Sequence, residues 1–133
     1  SVDIVYSSHS LEPNGGKEEL LMQECLRVAK KAVVFIEPIY ELASEEAQKS
    51  MRHHGYIRGL HSVASKMECS IEEYKLLDFS ANPLNPSGVI SILKRNNKVI
   101  TGLAVVVELT ELRGRSILHL FKLSSSKYSV HFP

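Results

Sequence analysis

Four consecutive polar residues, Ser7-Ser8-His9-Ser10, follow directly on the apolar run Ile4-Val5-Tyr6. An imidazole is the side chain best suited to exchanging a proton near neutral pH, and the hydroxyls beside it can donate to or accept from a polar ligand. Glu12 precedes Pro13 in the same segment, and Glu37 precedes Pro38 at the end of a second apolar run, residues 32–36. Two carboxylates at the ends of neighbouring apolar runs could serve one cleft as acid and base. Each could equally hold a loop or position a ligand, and the spacing does not give their separation. His9 and Glu37 are thus the candidate catalytic residues, with Glu12 a candidate for substrate contact.

A second group lies further along. His53, His54 and His61 invite a metal reading, but Gly55 interrupts any continuous helix between them, and no cysteine or carboxylate stands at a usual ligand interval. No metal is expected. His53, His54, Tyr56 and Arg58 are read instead as candidate substrate contacts. The chain contains no Gly-x-Ser-x-Gly elbow, no phosphate-binding P-loop and no complete dinucleotide fingerprint.

The elements that must position these groups can be read from periodicity. Residues 2–7 form a strand whose nearly continuous apolarity suits a sheet covered on both faces. The Pro13-Asn14-Gly15-Gly16 break hands over to a helix at 17–31, with Leu20, Leu21, Cys25, Val28 and Ala29 on one face. Glu18 and Glu19 in its first turn and Arg27, Lys30 and Lys31 in its last suit the helix dipole. Residues 32–36 form a second buried strand that Pro38 ends. A strand, helix and strand in this order predict a right-handed parallel crossover, with chemistry at the carboxyl ends of the strands. Ser44 before Glu45 and Glu46 marks an N-cap for a helix to 54, and 56–66 reads as a shorter one. Residues 70–77 and 89–93 are strands joined by the turn-rich loop 82–88, the second antiparallel to its neighbour. Beyond a charged break at 94–98, residues 99–109 and 116–123 favour strands, and Ser124-Ser125-Ser126 is a flexible polar tract. Two units follow: 1–95, and a β-rich or poorly ordered appendage at 96–133.

The chain has 133 residues, 44% apolar and 23% charged, with a formal charge of +1, the profile of a soluble globular domain. That balance gives no reason to expect nucleic acid or an anionic membrane as partner. No run approaches the roughly 20 apolar residues of a membrane span. Cys25 and Cys69 lie apart, in strongly patterned segments, and are expected to be buried, reduced thiols, which places the protein in the cytoplasm. The first residue is not Met, so the chain is expected to begin inside a longer gene product.

The string Asp3-Ile4-Val5-Tyr6-Ser7-Ser8-His9-Ser10-Leu11-Glu12 resembles the segment of class I S-adenosylmethionine-dependent methyltransferases in which the fourth strand ends. The helix with Arg27-Val28-Ala29 and the run Val33-Val34-Phe35-Ile36-Glu37-Pro38 are similar to that family's next helix and fifth strand. The likeness covers roughly residues 1–95. It implies the carboxyl-terminal half of an α/β, three-layer sandwich, a partial Rossmann-like fold with a mostly parallel sheet and an antiparallel edge strand. It also implies methyl transfer from S-adenosylmethionine to an unidentified acceptor. Ser7, Ser8, His9 and Ser10 would lie beside the cofactor, and Glu37 and Tyr40 would face the acceptor. The family's first strand, glycine-rich loop and ribose-binding acidic residue are missing, so this chain alone should bind the cofactor weakly or not at all. A non-catalytic methyltransferase-like module is the other reading. It would act by self-association or with a partner chain completing the sheet. A Rossmann-like oxidoreductase half is a weaker third option. Ile100-Thr101-Gly102-Leu103 and Glu111-Leu112-Arg113-Gly114 look like zinc-ribbon fragments, but lack the cysteines such ribbons use.

Overall fold

The computed structural model describes residues 2–94 in full and the backbone of 104–112, 115–122 and 127–131. It is an α/β fold. The element order is β1 (Val2–Ser8), α1 (Glu18–Val28), β2 (Ala29–Pro38), a single 3-10 turn (Tyr40–Leu42), α2 (Glu45–His53), α3 (Leu60–Ser65), β3 (Cys69–Leu76) and β4 (Ser87–Lys94). The backbone strands β5 (Ala104–Leu112), β6 (Arg115–Lys122) and β7 (Lys127–His131) follow. The charged break at 95–98, the Ser124-Ser125-Ser126 tract and the segments 100–103 and 113–114 lie outside the described residues.

The parallel crossover is present: β1 and β2 pair in parallel, from Val2 opposite Ala29 to Ser8 opposite Ile36. The sheet order is β3-β4-β2-β1-β5-β6-β7. The expectation of a mostly parallel sheet with one antiparallel edge is corrected. Only β1–β2 and β1–β5 pair in parallel, and the antiparallel β4 lies inside the sheet between β2 and β3. The cause is local. The loop 77–86 folds β4 back along β3, while the long α2–α3 connection carries β3 one strand further out, leaving the slot beside β2 for β4.

Helix α1 ends at Val28, and the strand begins at the next residue. Helical spacing alone carries the helix to 31. Pairing overrides it, because Ala29 docks opposite Val2 and Lys31 reaches Asp3 at 3.5 Å. At the helix end the Lys94 ammonium donates to Leu26 O at 2.6 Å and to Ala29 O, just past the helix, at 2.9 Å. At the start of α2, Ser44 Oγ accepts from Ala47 N, as its sequence position predicts.

The core lies on one face of the sheet. Val5, Val33, Phe35, Ile90 and Ile92 point to that face and pack with Leu21, Met22 and Cys25 of α1 and Leu60 and Ala64 of α3. Both helices therefore cover the same side, and the three-layer expectation is corrected to two layers among the described residues. The other face carries Ile4, Tyr6, Val34, Ile36, Val89 and Leu93, all half-buried, because a strand's alternation sends every second residue there.

Candidate functional site

The parallel pairing brings the carboxyl ends of β1 and β2 side by side, and β4 starts there too, with Ser87 opposite Pro38. Glu37 is 1% exposed and anchors this crest. Its Oε1 accepts from Ser7 Oγ at 2.7 Å and Ser10 N at 3.2 Å, and both carboxylate oxygens lie 3.3 Å from Leu11 N. These donors favour the charged form, as does His9, but burial outweighs them and pushes the Glu37 carboxyl up to about 7. The carboxylate gathers the loop 7–11 around itself.

That loop holds His9 in the left-handed region, with φ +48°, the one non-glycine residue so placed among those described. Such a backbone is uncommon for a side chain of this size and persists only where the surroundings enforce it. Here the His9 N–H donates to Ile36 O at 2.9 Å, which pins the turn to β2. The ring is consequently turned outward, between two partners. Its Nδ1 is 3.0 Å from Glu12 Oε2, and its Nε2 is 2.7 Å from Ser87 Oγ. The same Glu12 oxygen accepts from Asn85 Nδ2 at 3.0 Å. Asn85 Oδ1 is buried beneath the crest and has no hydrogen-bond partner among the described residues.

The residues read from sequence therefore fall into two groups. Ser7, His9, Ser10, Glu12 and Glu37 come together at the crest. Ser8 joins them through its carbonyl, which accepts from Ser10 Oγ at 3.0 Å, while its side chain is exposed. Glu12 and Glu37 do not face each other as acid and base: Glu37 turns inward to backbone and Ser7, whereas Glu12 turns to His9 and Asn85. Tyr40 lies apart, its ring 5.7 Å from the Arg52 guanidinium and 5.8 Å from that of Arg58, with its hydroxyl bonded to Arg52. His53, His54 and Tyr56 form an aromatic row on the exposed end of α2, with His54 stacked on Tyr56 at 5.5 Å. His61 is elsewhere, packed on Tyr74 at 4.5 Å.

Asn85 and Ser87 were not legible as site residues. They belong to a segment whose prolines and asparagines announce a turn, and only the antiparallel return of β4 along β2 brings them to the crest. Among the described residues no cluster of three His, Cys, Asp or Glu could hold a metal ion, and no helix is long and apolar enough to cross a membrane.

No family model matches the chain, and no solved structure matches it. It is similar to an adenine phosphoribosyltransferase of Prochlorococcus marinus (strain MIT 9215), with 50% identity over 42 residues, 32% of this chain and 24% of that protein. The match spans about a quarter of the relative's length. This likeness is to a different class of enzyme and overturns the methyltransferase expectation, both as a methyl-transferring enzyme and as a methyltransferase-like association module. The S-adenosylmethionine expectation came with that resemblance.

Proposed function

We propose that the crest is an acid–base site for a small polar ligand, with His9 handling the proton. The observation that carries this reading is the imidazole clamped by Glu12 on one nitrogen and Ser87 on the other, on a left-handed backbone pinned to Ile36 O. A strained residue, a buried carboxyl raised to about 7 and the carboxyl ends of two parallel strands coincide at one place. Glu37 is the positioning residue, and His9 touches the ligand. Ser8 and Ser10 flank it and supply further hydrogen bonds. The buried, free thiols suit a cytoplasmic setting.

A second reading is supported by the 42-residue likeness: the chain is part of a protein that acts on adenine and a phosphoribosyl group. Both readings meet one experiment. Adenine, adenosine, ribose 5-phosphate and 5-phosphoribosyl diphosphate are titrated into the full chain while amide resonances are followed. Shifts at residues 8–12 and 85–87 support the acid–base site, and a response confined to adenine and the diphosphate favours the second reading. Shifts confined to the open sheet face, with the crest silent, would overturn the first. His9→Asn serves as the control, since asparagine tolerates the left-handed backbone that His9 occupies.

A further inference from the structure

Hydrogen-bond chemistry fixes how the crest imidazole carries its proton. An ionised Glu12 can only accept, so the nitrogen facing it, Nδ1, must hold the hydrogen. In the neutral ring, Nε2 is then bare and accepts from the one hydroxyl within reach, that of Ser87 at 2.7 Å. A hydroxyl donating to an imidazole whose far side donates to a fixed carboxylate is the arrangement that activates a serine oxygen. Asn85 Nδ2 holds the carboxylate oxygen from behind. The three residues come from two strand ends and a turn, so the fold, not local sequence, assembles them.

We propose that Ser87 is the nucleophile of a serine–histidine–glutamate relay that accepts acyl groups from esters, an inference that rests on the crest being an acid–base site. Ser87 is half-buried and His9 exposed, so the oxygen is reachable. The Ser87 N–H donates to Ser80 Oγ over a long 3.4 Å, and as the nucleophile's own N–H it is the donor assigned to the oxygen that becomes negative during attack.

In the reaction, the Ser87 Oγ–H bond breaks as Oγ bonds to the carbonyl carbon, and the proton passes to His9 Nε2. Collapse of the tetrahedral adduct breaks the bond to the ester oxygen, which leaves as an alcohol carrying that proton. Water then attacks the acyl-serine, gives a proton to Nε2 and releases the acid, and the proton returns to Ser87. Glu12 keeps the Nδ1 hydrogen throughout.

An alkyl fluorophosphonate tests this on the full chain. Serine attack forms an Oγ–P bond and expels fluoride, and the adduct is mapped by peptide mass spectrometry. We expect one adduct, on Ser87, formed only by the folded chain. Ser87→Ala should abolish it, while His9→Asn and Glu12→Gln should each slow it by about 10²-fold or more. Ser87→Cys should restore a nucleophile, read by alkylation with chloroacetamide and likewise slowed by His9→Asn. Labelling that survives His9→Asn unchanged, or no labelling of Ser87 in a folded chain, would overturn the proposal. If the crest amides respond to polar ligands and Ser87 stays unlabelled, only the nucleophile assignment falls. If both are silent, the acid–base reading falls with it.

Discussion

A carboxyl kept 1% exposed, such as that of Glu37, makes the chain's stability depend on pH. Its folded value of about 7 lies above the ordinary 4.5, so between those values the native state binds more protons than the unfolded one. Stability is therefore full below about pH 4.5 and declines as pH rises toward 7, by about 3 kcal/mol from this group. Urea unfolding from pH 4.5 to 8 should show that decline, and Glu37→Gln should flatten it, because a neutral amide still accepts through its oxygen. Glu37→Ala should cost about 3 kcal/mol at pH 5, since it strands the Ser7 hydroxyl and the Ser10 and Leu11 N–H groups. The cysteines offer a second check at this scale. Burial pushes the Cys25 thiol up to about 12, and Cys69 is buried with its sulfur 3.1 Å from Ala64 O. A disulfide-exchange reagent at pH 8 should leave both untouched in the folded chain and react with both in urea. Residue types alone pointed to His9, Glu12 and Glu37, because few polar groups stand at the ends of buried strands. They could not say that Glu37 faces inward, since that depends on which side of β2 the odd-numbered residues take.

Among the elements, the entry to α1 is pressed closely on neighbouring backbone. A Cβ on Gly15 would lie 2.5 Å from Gly55 O and 2.8 Å from Tyr56 O, both backbone, while Gly15 N donates to Gly55 O at 2.9 Å. The turn before α1 is thus pressed directly on the turn after α2, and Glu12 O accepts from Ile57 N at 2.8 Å beside it. Gly15→Ala should destabilise by about 2 kcal/mol in chemical denaturation and shift the Glu12 resonances, because neither backbone can yield cheaply. Ser44→Ala removes one cap bond and should cost about 1 kcal/mol with the crest unaffected. The N-cap of α2 was legible because a serine before two glutamates has a local cause. The end of α1 was not, because Ala29, Lys30 and Lys31 suit a helix by themselves and become strand only because Ala29 and Ala32 pair with β1 on either side. The place of β4 was hidden for the same reason: strand order is decided by contacts far apart in the chain.

For the whole molecule, one face of the sheet is covered by α1 and α3, while Ile4, Tyr6, Val34, Ile36, Val89 and Leu93 lie half-open on the other. An apolar patch of that kind favours association with a partner chain or a second copy. Sedimentation equilibrium should show self-association that Val34→Lys weakens, with the crest amides unmoved. The way β2 begins, directly after Val28, also has a consequence for the entire fold. The strand opens on a bulge, three steps from Ala29 to Ala32 against two from Val2 to Ile4, and beyond it the unbroken register of β2 works as a ruler, fixing which side chain arrives at the crest. A single residue inserted there would leave the helix packed as before yet swap the two sides of the strand that follows. Phe35 would be turned out toward water, and the carboxylate that gathers the loop would vanish from beneath it. The length of β2 between its bulge and the crest is thus held to the residue, because one more would reverse every side chain beyond it.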